Sequence, residues 1–369
     1  MVALKLFTAV TMVWLLALAV PVLAQSFDEQ VAQCVNEAGQ VTPAAQIAGC
    51  TALLTSGRFD VQDRSTIHNN RGVAYRAQGD LAHAITDSSE AIRLNPQYAD
   101  AYYNRGTAYH DQGDLARAIA DYNEAIRLNP QDALARSVRG VAYRAQGDLA
   151  RAIADYNEAI RLNPQYAHAY YNRGIAYHDQ GDLFRAIADY NEAIRLNPQD
   201  ALARSIRGVA YRAQGDLARA ITDSSEAIRL NPQYADAYYN RGVAYRAQGD
   251  LARAITDSSE AIRLNPQYAD AYYNRGIAYH DQGDLARAIA DYNEAIRLNP
   301  QDALAYLNRG VAYRAQGDLA RAITDYSEAI RLNPQYALAY SNRARAHDQL
   351  GDAARAKADL AEATRLQNP

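Results

Sequence analysis

Residues Asn274–Pro300 read NRGIAYHDQGDLARAIADYNEAIRLNP, and near copies of this stretch recur along most of the 369-residue chain. Its two landmarks keep a fixed register. Asn-Pro returns with proline at Pro96, Pro130, Pro164, Pro198, Pro232, Pro266, Pro300 and Pro334, a step of thirty-four residues each time. Gly-Asp returns at Asp80, Asp114, Asp148, Asp182, Asp216, Asp250, Asp284, Asp318 and Asp352 in the same register. A strict period of this length predicts a stack of supersecondary units rather than separate globular cores.

The copy Ala99–Asp132 shows what one unit builds. Tyr102, Gly106 and Tyr109 are spaced by four and three, and Leu115, Ala118, Ile119, Tyr122, Ala125 and Ile126 follow at helical spacing. Gly113 suits the left-handed position that ends a first helix, and Asp114 suits the N-cap of a second. Asn129-Pro130 ends that second helix, because proline disfavours helix at the residue before it. Each unit is thus two antiparallel helices joined by a tight turn. One copy buries too little apolar surface to offset the entropy of ordering it, so neighbours must supply the missing contacts.

Counted from Ala99 as position 1, the unit resembles the tetratricopeptide repeat family. Tyr102, Gly106, Tyr109, Ala118, Tyr122, Ala125 and Pro130 stand at positions 4, 8, 11, 20, 24, 27 and 32 of its pattern. Two departures stand out. Arg105 occupies position 7, where the family usually has leucine, and Ser88, Ser224 and Ser258 occupy position 24, which predicts three more loosely filled interfaces. The resemblance implies an all-α, right-handed superhelical solenoid of antiparallel helix pairs. About nine regular units start at 65, 99, 133, 167, 201, 235, 269, 303 and 337, so the array spans 65–369. It also implies that first helices line the concave face, which binds extended peptides in many family members.

The start of the chain reads differently. Leu6–Leu23 is almost wholly apolar, and Val22-Leu23-Ala24 places small residues at a cleavage junction before Gln25, so residues 1–24 are expected to be a signal peptide cleaved after Ala24. An uncleaved membrane anchor is the alternative. Cleavage leaves no membrane span and a periplasmic or secreted location. Residues 25–64 are expected to form a divergent capping helix pair. There Cys34 and Cys50, sixteen apart, fall at positions 8 and 24, where a disulfide would staple the two helices. Two buried free thiols are the alternative.

Composition narrows function. The net charge of −4 gives no footprint for nucleic acid. The histidines His110, His178 and His280 share position 12 of non-adjacent units, too far apart to share a metal. No phosphate loop or nucleophile–base grouping stands out, so neither catalysis nor a cofactor is expected. Unit charge alternates: 99–132 is acidic, 133–166 basic, 167–200 acidic and 201–234 basic. Such a pattern either sets stacking register or is an ordinary solvated surface.

The concave stripe carries the candidate binding residues. Position 6 holds Asn104, Asn172, Asn240, Asn274, Asn308 and Asn342, and an amide offers donor and acceptor together. The row resembles asparagine ladders by which family members hold a peptide main chain, with packing between helices as the alternative role. Tyr103, Tyr171, Tyr239 and Tyr273 add contact area, and Arg246 and Arg314 could take an acidic segment. The expected function is a non-enzymatic scaffold that binds an extended peptide segment of a protein partner. Self-assembly through the array ends, or service as a non-catalytic subunit of an envelope complex, are the alternatives.

Overall fold

The computed structural model describes residues 26–36 and 39–367, so the stretch 1–24 read above as a signal peptide lies outside the described residues. The chain divides into two compact units, one ending at Asn129 and one beginning at Pro130. The first holds α1 (Phe27–Val35), α2 (Pro43–Thr55), α3 (Val61–Ala77), α4 (Leu81–Leu94), α5 (Ala99–Asp111) and α6 (Leu115–Leu128). The second opens with α7 (Ala133–Ala145), α8 (Leu149–Leu162), α9 (Ala167–Asp179), α10 (Leu183–Leu196), α11 (Ala201–Ala213), α12 (Leu217–Leu230) and α13 (Ala235–Ala247). It continues with α14 (Leu251–Leu264), α15 (Ala269–Asp281), α16 (Leu285–Leu298), α17 (Ala303–Ala315), α18 (Leu319–Leu332), α19 (Ala337–Gln349) and α20 (Ala353–Gln367). Within each unit the helices pack as successive pairs, the second helix of one pair lying against the first of the next, and there is no strand among the described residues.

The local signals act as read. The Asp114 carboxylate accepts the Arg117 backbone N–H at the start of α6, and Asp148, Asp216 and Asp284 do the same for their own second helices. Gly113 closes α5 at φ +85°, a conformation a side chain would strain. Helix α3 begins at Val61, a turn before repeat position 1 at Ser65, because Asp60 caps it there.

Packing within a pair depends on one small-against-large contact. A Cβ on Gly140 would lie 2.7 Å from the Tyr156 ring, and one on Gly106 would lie 2.9 Å from Tyr122. In the first pair Cys34 and Cys50 hold these same two positions and are joined by a disulfide, with Cα atoms 4.6 Å apart. The serine pairs differ from one another. Gly208 faces the Ser224 hydroxyl, as expected of a looser fit. At Ser258 the slot is occupied instead: Asn274 of the next pair donates to the Ser258 hydroxyl at 3.0 Å, and Arg246 donates to the Asn274 carbonyl at 2.9 Å. The expectation of a loose interface is corrected there, because a polar side chain moves into the space a tyrosine ring would fill.

Arginine at position 7 also has its reason. In each of the nine regular pairs it binds an aspartate of the second helix, as in Arg71–Asp87, Arg139–Asp155, Arg207–Asp223 and Arg275–Asp291, with the aspartates nearly buried. A further donor reaches the preceding pair: Arg207 to Asn191 at 2.7 Å, Arg275 to Ser259 at 2.9 Å. One guanidinium therefore ties three helices, which leucine could not do. Burial pushes Asp87 up, but Arg71 and His68 together draw it below the usual carboxylate range. At Asp189 burial outweighs Arg173 and the carboxyl sits above that range.

Candidate functional site

First helices approach one another. In the second unit α7 touches α9, α11 touches α13, and α13, α15, α17 and α19 touch in turn, whereas second helices of successive pairs make no comparable contact among the described residues. The outward second-helix surface is covered by Arg–Glu pairs one turn apart, such as Arg161–Glu158 and Arg229–Glu226. The first-helix side is where residues of successive pairs converge.

The structure sorts the candidate residues. Asn274 and Asn342 are buried, at 3% and 6% exposure, and Asn274 is bonded to Ser258 and Arg246 of the preceding pair. Asn104 donates to Asn69, Asn240 to Ser205 and Asn308 to the Tyr273 hydroxyl, each reaching the preceding first helix at 2.9, 3.1 and 2.6 Å. The amide donors of Asn104, Asn240, Asn274 and Asn308 are thus engaged between pairs, and Asn172 is half-buried. Tyr103, Tyr171 and Tyr273 are half-buried and pack against Tyr122, Tyr190 and Tyr292, with ring centroids near 6 Å. Tyr239 has Ser258 where those rings have tyrosine, and packs instead on Tyr268 at 5.1 Å. Burial pushes the Tyr171 and Tyr273 hydroxyls up to about 12, so both stay neutral at ordinary pH.

Two features escaped the sequence reading. Leucines Leu134, Leu202, Leu304 and Leu338 share position 2 and stand about half exposed, where other pairs carry Asp100, His168, Asp236 and Asp270. The second is a bridge between first helices, from arginine at position 12 to aspartate at position 13 of the next pair. Arg76 meets Asp111 at 2.9 Å, and Arg144 meets Asp179 at 3.0 Å. The alternation of Arg-Ala with His-Asp at these two positions was its legible signal. The Arg144–Asp179 bridge joins a basic pair to the acidic pair that follows it. Among the described residues no three His, Cys, Asp or Glu side chains are grouped to hold a metal ion, and no helix is long and apolar enough to cross a membrane.

The chain belongs to the tetratricopeptide repeat family. The model described as "TPR repeat" matches residues 72–113, 140–181, 176–215, 208–249 and 242–283, and two described as "Tetratricopeptide repeat" match 99–132, 273–337 and 307–369. Comparison with curated proteins gives no match. Among solved structures the chain is similar to the APC/C hetero-tetramer Cut9-Hcn1, with TM-score 0.58 and 18% identity over 82% of this chain. The chain spans 59% of that protein's length. It is also similar to a tetratricopeptide repeat protein from Parabacteroides merdae, with TM-score 0.55, 23% identity and coverage of 67% of this chain and 98% of the other. A third similarity is to Pseudomonas aeruginosa pilF, with TM-score 0.50, 18% identity and coverage of 55% and 92%. At these identities the likeness is one of fold. The fold is a repeat scaffold of the kind typical of protein–protein interaction.

Proposed function

We propose that this chain is an exported, non-catalytic scaffold that holds an extended peptide segment of a partner protein across its first-helix face. One observation carries the reading. That face repeats half-exposed leucines and tyrosines in fixed register, while the second-helix surface is closed by exposed ion pairs. Amphipathic and apolar side chains presented in rows suit an extended segment that contacts one pair after another. With the amide donors of Asn104, Asn240, Asn274 and Asn308 engaged between pairs, the contact falls mainly to Tyr171, Tyr239, Leu304 and Leu338 and to the arginines of the same face. The Cys34–Cys50 bridge favours an oxidising compartment.

The test uses residues the chain already tolerates. Aspartate is native at position 2 of other pairs, so Leu304→Asp with Leu338→Asp should fold. Partner capture from the native compartment should be lost in that double variant. It should persist in Phe184→Ala, which removes an 80% exposed ring from second helix α10. Retention by the first and loss by the second would reverse the assignment of the binding face.

A second reading is self-association through α20. Leu360 stands 57% exposed at position 24, where Tyr326 one repeat earlier is fully buried by α19 and its neighbours. Sedimentation that stays monomeric over a wide concentration range, unchanged in Leu360→Glu, would remove this reading.

A further inference from the structure

Five first helices carry arginine at position 12, and the five heads meet different fates. Arg76 and Arg144 each bind an aspartate at position 13 of the next pair. Arg246 donates to the Asn274 carbonyl. Arg212 and Arg314 face Ala247 and Gln349 at that position, and the Nε of each is buried without a hydrogen-bond partner. A buried donor without an acceptor is costly, so these are the two places on the face where the chain omits a carboxylate its own pattern supplies elsewhere. The surroundings of Arg212 are also emptied: its pair has Ser224 at position 24, where the pair of Arg144 has Tyr156.

We propose that Arg212 is a carboxylate seat on the first-helix face: an acidic side chain of a bound extended peptide lies beside Arg212 and over Ala247, in the place Asp179 takes beside Arg144. The proposal rests on the reading of this face as peptide-binding. The chain's own occupant of the equivalent place is a single aspartate, which fits a carboxylate better than a dianionic phosphate. The attraction is local: residues 201–234 hold five arginines against three acidic residues, although the whole chain carries −4. Tyr239, on the next first helix, lies near enough to feel the charges of Asp270, Arg212 and Arg246.

The experiment uses the full chain, a fluorescein-labelled peptide of alternating glutamate and serine, and its glutamine counterpart. Fluorescence anisotropy should show the glutamate peptide binding about ten-fold tighter than the glutamine one, as a charge-assisted contact implies. Ala247→Asp installs the chain's own carboxylate and should remove that preference with the melting temperature kept or raised. Arg212→Gln should lower it in the same way. Ala218→Asp adds the same charge on exposed α12 and should leave affinity within about two-fold, because rim charge is screened. If the two peptides bind alike, the peptide-binding reading survives and the carboxylate seat falls. A glutamate preference that outlasts both Ala247→Asp and Arg212→Gln, or that Ala218→Asp removes equally, also overturns the seat, as does failure of the glutamate peptide to bind at all.

Discussion

The pairs 133–166 and 201–234 share almost one sequence and differ where it matters. Their first helices differ only at Val138 and Ile206, and their second helices at Ala154, Tyr156 and Asn157 against Thr222, Ser224 and Ser225. Helix limits correspond residue for residue, both second helices begin on a capping aspartate, and the Arg–Asp bridge spans 2.6 Å in one and 2.7 Å in the other. Yet one slot opposite glycine holds a buried tyrosine ring and the other a hydroxyl. The frame of each pair, made of caps, bridge and alanine contacts, is independent of what fills the slot. That independence lets slot and face vary from pair to pair without loss of register.

The largest test cuts the frame. Asp155→Ala and Asp223→Ala each leave a guanidinium that is 17% exposed without its carboxylate. The local loss should be about 3 kcal/mol in both pairs, the range for breaking a buried ion pair. Hydrogen exchange on the flanking helices is the right readout, because repeat arrays open locally. Equal losses sharpen the comparison; a much smaller loss at Asp223 would break it by making the bridge depend on the ring.

Filling the slot should separate the pairs. Gly140→Ala drives a Cβ to 2.7 Å from the Tyr156 ring and should cost about 1–3 kcal/mol, as overpacking does. In Gly208→Ala the nearest atom is the Ala220 carbonyl at 3.2 Å, and the helix-propensity gain of about 1 kcal/mol should offset most of the strain. Ser224→Tyr should raise the melting temperature by restoring the ring. Ser258→Tyr should not, because Asn274 already occupies that slot. Thermal melts of the four single variants decide it, and similar shifts for the two serine variants would show that Asn274 yields at no cost.

The fold was open to reading because each of its signals is local and repeated. Gly113, Asp114 and Asn129-Pro130 act within a few residues of themselves, and periodicity multiplies them. The Cys34–Cys50 pairing followed from numbering two positions within one repeat. The fate of the asparagine row did not, because the acceptor of Asn104, Asn240 or Asn308 is thirty-five residues away and depends on what stands at position 5 of the preceding pair. Asn274 is the clearest case: its burial follows from Ser258, a substitution in a different helix, and only three-dimensional packing joins them. Arg105 looked like a departure from pattern when read along one helix. Its reason is a pair of partners on two other helices, Asp121 and Ser89.

The smallest effect comes from charge, and it should treat the two pairs alike. Asp148 and Asp216 are held below the usual carboxylate range first by the backbone N–H groups they cap, at Arg151 and Arg219, and then by those arginine side chains. Glu158 and Glu226 are held down by Arg161 and Arg229. A carboxyl depressed by folding contributes stability above its unfolded value and loses it as pH falls through the folded one. Stability should therefore be flat from pH 7 to about 5 and fall together in both pairs below about pH 4, near the unfolded values of Asp and Glu. Asp148→Asn and Asp216→Asn keep a good cap that does not titrate. Melts of either variant should change little at neutral pH and lose part of the acid slope, by equal amounts. Asp189 has the opposite sign. Burial raises its folded value, so protonation favours the folded state, and the pair 167–200 should soften least on acidification. Side-chain carboxyl titrations followed by NMR would check the order, and Asp189 titrating below Asp148 would overturn it.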